Sequence, residues 1–374
     1  MSKIMFHLNT LTQGGAERVV SNLANSFCQG NDEIIVATEW FGEDEFKLDS
    51  RIKRIHVGLK DEDESKGRLS KAFLRLKYLR DGIKKEKPDV VIAFAQKAIY
   101  RTCFAAKGLR TAVIVCVRTD PVSHYDRPID RVVMPFIKYR PDGAVFQTIG
   151  QRDFFSKRWQ KRSTIILNPV NEKYFLDDVQ LEALSLKKTT TVVQHARLVD
   201  FKNQPMLIDA FMKVHAKHPE YDLKIYGPDS FDGTKEILEE KIKGYKAEDF
   251  IHLMGGSDEL EKLVPLASVY AFSSDWEGLP NTLLEAMAMG MPIVATDCPC
   301  GGPKTVMTDQ VDGLLVPIKN PDALAEGINK LIENPEYAKK LGEKAREIKL
   351  RTNADEITRQ WYDYIAKVID DANR

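Results

Sequence analysis

Val269-Tyr270-Ala271-Phe272-Ser273, followed at once by Trp276-Glu277-Gly278-Leu279-Pro280-Asn281-Thr282-Leu283-Leu284-Glu285, reads as a strand handing over to a helix. The first run is apolar and β-prone, and Gly-Leu-Pro ends it. Pro280 suits a helix start, where its missing N–H costs nothing. Leu283, Leu284, Met287 and Ala288 supply an apolar stripe at helical spacing. Glu277 then lies in the loop before the helix, and Glu285 about one and a half turns into it. Two carboxylates flank backbone N–H groups and the positive end of a helix dipole. Phosphate binds at such an end, and carboxylates beside it suit sugar hydroxyls. Spacing alone equally fits a solvated helix start with two surface acids, so other segments must decide.

Ile4-Met5-Phe6-His7-Leu8 is a second such strand, and Gly14-Gly15-Ala16-Glu17 opens a helix with Val19, Val20, Leu23, Ala24 and Phe27 on one face. Paired glycines after a first strand allow positive φ and close approach of a ligand. The loop is neither a Gly-x-Gly-x-x-Gly dinucleotide fingerprint nor a Walker loop. A third strand, Val192-Val193-Gln194-His195, runs into Arg197 and Lys202-Asn203-Gln204. Ligands of open parallel sheets bind past such strand ends. There Arg197 as a fork and Lys202 as a point charge suit a diphosphate.

These elements, in this order, resemble the retaining glycosyltransferases of family 4, the GT-B group. The resemblance rests on Gly14-Gly15-Ala16-Glu17, Arg197 with Lys202-Asn203-Gln204, Glu277-x7-Glu285 and Asp312-Gly313-Leu314-Leu315-Val316, and it covers nearly the whole chain. It implies an α/β architecture of two Rossmann-like parallel-sheet domains facing a central cleft. Their expected bounds are 1–168 for acceptor binding and 169–353 for the nucleotide sugar, and a helix over 354–374 returns to the first domain. Glu277, Arg197 and Lys202 are the expected catalytic residues. Gly14, Gly15, Gly278, Leu279, Asn281, Thr282 and Glu285 are the expected nucleotide-sugar contacts, with Glu285 on the ribose and Glu277 on the donor sugar. No metal and no cofactor is implied beyond the donor, a UDP-sugar by expectation. Many relatives carry a histidine after the fourth strand of the first domain. Val117-Arg118-Thr119-Asp120-Pro121 stands there instead, so Arg118 or Asp120 takes that place, with His124 a few residues on.

Composition agrees. A chain of 374 residues exceeds one typical core and suggests two domains. Alternating strand and helix patterns in each half suggest parallel sheets. The five cysteines lack zinc-like spacing and fit reduced thiols in a cytoplasmic chain, with Cys298-Pro299-Cys300 read as part of a turn. No apolar stretch is long enough to span a bilayer, and the start carries no signal-like segment.

Net charge is zero, yet 1–168 carry 30 basic and 20 acidic residues, +10, and the remainder −10. Nine basic residues fall between Lys66 and Lys87, interleaved with Leu69, Phe73, Leu76, Tyr78, Leu79 and Ile83. Such a helix can lie on an anionic membrane, and Phe73, Leu76 and Leu79 would dip into it. It can also pack on the sheet with its lysines in water. Nucleic acid is disfavoured, because the second half would repel it. The resemblance implies transfer of a hexose or N-acetylhexosamine to a saccharide acceptor, and the basic helix adds the expectation of a polyprenyl-linked acceptor at the inner membrane face. A GT-B sugar-nucleotide epimerase and a non-catalytic, membrane-docked binding protein are the alternatives.

Overall fold

A computed structural model describes residues 2–12, 14–125 and 128–372. Its contacts divide the chain into two units, Met1–Pro169 with Ala354–Arg374, and Val170–Asn353.

The first unit holds β1 (Lys3–Leu8), β2 (Glu33–Thr38), β3 (Lys53–His56), β4 (Val90–Phe94), β5 (Ala112–Cys116), β6 (Gly143–Phe146) and β7 (Ser163–Ile165). They pair in the order β3-β2-β1-β4-β5-β6-β7, and every pair is parallel. All five residues of β4 and of β5 are buried. That is the signature of a parallel sheet covered on both faces. Met5, Val91 and Val113 stand in register across three strands and belong to one core cluster.

The second unit holds β8 (Thr191–His195), β9 (Asp222–Tyr226), β10 (Ile251–Gly255), β11 (Val269–Phe272), β12 (Ile293–Thr296) and β13 (Leu314–Val316). Their order is β10-β9-β8-β11-β12-β13, again parallel throughout. Strand order reverses between β8 and β11, where Val192 pairs with Val269. The crevice outside the carboxyl ends of those two strands is where such sheets bind ligands.

β3, β7 and β13 leave little mark in the sequence. β3 is Lys-Arg-Ile-His at a sheet edge and half-exposed, so it needs no apolar run. β7 and β13 have only three residues each. The helix Ala354–Ala372 packs within the first unit through Ile357, Trp361, Tyr364, Ile365 and Val368. Tyr364 Oη accepts from Ala144 N at 2.8 Å and donates to Arg162 O at 2.5 Å. Gly143 fits beneath it because a Cβ there would sit 2.6 Å from that oxygen.

No helix among the described residues is long and apolar enough to cross a membrane. The helix Arg68–Glu86 is amphipathic, with a correction to the expected membrane face. Leu79 is buried with Ile83 against the sheet, whereas Leu69 and Phe73 are 89% and 66% exposed.

Candidate active site

Two loops meet past the carboxyl ends of β8 and β11. The first carries Arg197, which is exposed, and then a 3-10 turn over Asp200–Lys202. Asn203 follows in the left-handed region, φ +47°, a conformation asparagine tolerates better than most residues. Its side chain caps the helix Gln204–Lys217 by accepting from Met206 N at 3.2 Å. This turn carries Lys202 back to the crevice. Lys202 is buried, and its ammonium is ion-paired with Glu277 Oε1. The same oxygen accepts from Ser274 Oγ at 3.3 Å. Phe201 and Phe272 present their rings to that ammonium at 5.5 and 5.7 Å, a cation–π environment.

The two loops are bound together along their length. Asp275 N donates to Phe201 O at 2.9 Å, and Asn203 Nδ2 to Asp275 Oδ1 at 2.8 Å. Trp276 stacks on Phe201 with ring centres 4.2 Å apart. Below them Gln194 Nε2 donates to Ser273 Oγ, 2.9 Å, which donates on to the Lys202 carbonyl, 2.7 Å. Buried polar groups that satisfy one another in this way hold a single geometry.

Gly278, Leu279 and Pro280 continue as a buried loop into the helix Asn281–Ala288. Pro280 is the cap rather than the first helical residue, and no side chain caps the helix there. Asn281 and Thr282 are half-buried in its first turn. Gly302 packs so closely that its Cβ would lie 2.0 Å from Gly278 O. Glu285 lies on the buried side of this helix and is only 4% exposed. Its Oε2 is 3.0 Å from Nε2 of His195, the last residue of β8. Tyr270 packs edge-on against the His195 ring and donates to its carbonyl at 3.3 Å. Burial drives the Tyr270 phenol well above its ordinary value.

The structure thus brings Lys202, Glu277, Gly278, Leu279, Asn281, Thr282 and Glu285 together in the second unit, with Arg197 on the exposed rim. Sequence reasoning assigned no role to His195, Ser274, Asn203 or Asp275. The signal was available in the polar run Ser273-Ser274-Asp275 directly after an apolar strand.

The remaining expected residues lie in the first unit. Gly14 precedes the helix Gly15–Phe27 with φ −148°, and Gly15 is not among the positive-φ glycines. Neither glycine uses the positive φ that the pair allows. Gly14 instead leaves space, since its Cβ would lie 2.2 Å from Glu17 Oε2. Position 13 of this loop lies outside the described residues. Arg118, Asp120 and His124 share the segment after β5. Arg118 Nη1 donates to Asn168 Oδ1 at 2.7 Å, and its guanidinium lies over Phe94 and Trp361 at 5.1 and 5.7 Å. Burial holds its pKa below the ordinary arginine value. Asp120 is buried, and His124 on the helix Pro121–Tyr125 accepts from Gln96 Nε2 through its carbonyl. Cys298 lies in the expected turn, its thiol pushed up to about 12 by burial. Among the described residues no three His, Cys, Asp or Glu side chains gather as a metal-ligand set.

Comparison with known proteins fits this geometry. The family model for glycosyl transferases group 1 matches residues 179–348. Over 98% of its length the chain is 28% identical to a Campylobacter jejuni protein, of which it covers 99%. That protein is the GalNAc-alpha-(1->4)-GalNAc-alpha-(1->3)-diNAcBac-PP-undecaprenol alpha-1,4-N-acetyl-D-galactosaminyltransferase. The amylovoran biosynthesis glycosyltransferase AmsD of Erwinia amylovora is 22% identical, with 98% of this chain and all of AmsD covered. Anabaena HepE, solved in complex with UDP, superposes with a TM-score of 0.82 at 17% identity, over 98% of this chain and 100% of HepE. The fold is GT-B. The chain is a glycosyltransferase.

Proposed function

We propose that the chain is a retaining, metal-independent member of family 4. It would move a hexose or N-acetylhexosamine from a UDP-sugar to a saccharide carried on a polyprenyl diphosphate or glycolipid. The observation that carries this reading is the pairing of Lys202 with Glu277 and of His195 with Glu285 at the point where strand order reverses.

In this scheme Arg197, Lys202 and the amides at the start of Asn281–Ala288 bind the diphosphate. Glu285, oriented by His195, accepts from the ribose, and Glu277 accepts from the donor sugar. The anomeric carbon–oxygen bond breaks, and its electron pair leaves on the nucleoside diphosphate. Buried Lys202 stabilises the charge that develops there, as a preorganised donor does in a dry site, and Arg197 adds its charge from the exposed rim. The acceptor hydroxyl adds to the same face of the oxocarbenium-like sugar and gives its proton to a phosphate oxygen. The UDP of HepE and the undecaprenyl-linked saccharide of the Campylobacter relative support the donor and acceptor classes.

The proposed place of action is the inner membrane surface. The first unit carries the basic excess of the chain, and exposed Leu69 and Phe73 lie on the same helix as Arg68 and Lys77. Incubation with UDP-, GDP- and ADP-sugars, without acceptor, tests the donor class. Slow hydrolysis of a UDP-sugar to the sugar of unchanged anomeric configuration, read by NMR, is the expected result. Inverted product, or preference for another nucleotide, overturns it.

A further inference from the structure

A separate cavity of about 460 Å³ opens in the first unit, between the carboxyl ends of β2 and β3 and the helix Arg68–Glu86. It is lined by Glu39, Trp40, Phe41, His56 and Arg75, together with the exposed Asp61 and Glu64. None of these residues belongs to the site described above. Glu39 is buried, and its carboxylate is held by Arg101 and by Arg75, whose Nε is 3.4 Å from Oε2. The backbone is fixed as firmly. Glu39 N donates to Asn9 O at 2.9 Å, and its carbonyl accepts from His56 Nε2 at 2.7 Å. Gly58 lies against that carbonyl where a Cβ would be only 1.7 Å away.

On this rigid floor stand two exposed aromatics, Trp40 and Phe41, at 46% and 57%. Phe41 is stacked on His56 with centres 5.6 Å apart and lies 5.0 Å from the Arg54 guanidinium. Two adjacent exposed rings at a cavity lined by polar groups make an apolar platform of the kind that ligands cover. Formal charge narrows the ligand. The lining has three carboxylates to one guanidinium, which disfavours an anion. Glu39 and Glu64 already have cationic partners, Glu64 in Lys71 at 2.6 Å, so a further cation is not required. What fits is a neutral molecule with one apolar face and a rim of hydroxyls.

We propose that this cavity is a saccharide subsite, binding a neutral pyranose ring of the acceptor by stacking on Trp40 and Phe41. Ring hydroxyls then meet Asp61 and Arg75, while buried Glu39 holds the Arg75 guanidinium in place from below. The inference rests on the glycosyltransferase reading but concerns residues far in sequence from the donor site.

The test uses the full chain on an array of neutral and anionic oligosaccharides, with Trp40→Ala, Phe41→Ala and Trp40→Phe. Both side chains are half-exposed, so the core should survive their removal, and melting temperature reports this. Neutral glycans should bind the wild type, bind each alanine variant about tenfold more weakly, and recover with Trp40→Phe. Equal binding by a folded alanine variant, preference for anionic glycans, or no neutral ligand at all overturns the proposal. Calorimetry of UDP with the wild type separates the two readings. UDP binding without Trp40-dependent glycan binding defeats the subsite alone, and absence of UDP binding defeats the donor reading beneath it.

Discussion

Nε2 of His195 and Oε2 of Glu285 are 3.0 Å apart inside the second unit, joining the end of β8 to the helix that follows β11. The bond crosses the point where strand order reverses. Glu285 is thereby fixed before any ligand arrives. Glu277, by contrast, is in the loop before that helix and is ion-paired with Lys202.

That difference predicts a division of labour. Glu285→Gln should weaken UDP itself, whereas Glu277→Gln should weaken the sugar nucleotide and leave UDP nearly unchanged. Isothermal calorimetry with UDP and with the UDP-sugar measures both. Equal loss of UDP affinity in the two variants would contradict the assignment.

Lys202→Ala should cut kcat by about 10²–10³-fold, the scale of losing one preorganised donor to a developing oxyanion. Circular dichroism should show the fold intact. An unchanged kcat in the folded variant would remove the Lys202–Glu277 pair from the chemistry.

Turnover should persist in excess EDTA, because Arg197, Lys202 and a helix start are offered for the diphosphate. Complete loss that Mg²⁺ or Mn²⁺ restores would refute the metal-free scheme.

Acid should destabilise the first unit through His7. It is buried in β1 with Nδ1 2.7 Å from Thr102 Oγ1, and burial, then the Arg101 charge, lowers its pKa from 6.5 to about 3. Its folded pKa is depressed, so its contribution is fully present above the unfolded value and is lost as pH falls. The loss runs at up to about 1.4 kcal/mol per pH unit between 6.5 and 3. His7→Asn should shrink the drop in urea midpoint between pH 7 and pH 5. An identical drop would clear His7.

Binding to anionic vesicles should need low salt and should fall in Lys77→Glu/Lys84→Glu/Lys85→Glu. Each basic group near the surface contributes about 1 kcal/mol. Sedimentation with neutral and anionic liposomes measures it, and no binding to anionic vesicles at low salt would favour a soluble acceptor.

The central strands were legible in the sequence because a parallel sheet buries both faces, and Val90–Phe94 or Ala112–Cys116 are apolar without interruption. Edge strands such as Lys53–His56 carry no such mark. The helix Ala354–Ala372 was legible from the spacing of Ile357, Trp361, Tyr364, Ile365 and Val368. Glu277 and Lys202 could be nominated, but not their pairing, which depends on the left-handed Asn203 and on loop-to-loop bonds between distant segments. Paired glycines at 14 and 15 allow a positive φ, which the backbone does not use. Spacing also could not say which way the basic helix is rolled, and Leu79 proved to face the sheet.

The return of Ala354–Ala372 to the first unit has a consequence for synthesis. Trp361 is wholly buried there, and the Tyr362 ring packs tilted against Phe27 with centres 4.4 Å apart. The first half of the chain leaves the ribosome lacking one wall of its own core. It must wait, incomplete, while the second unit emerges and folds as a continuous stretch. The first unit can close only once the stretch encoding Ala354–Ala372 has been translated, after the whole of the second unit.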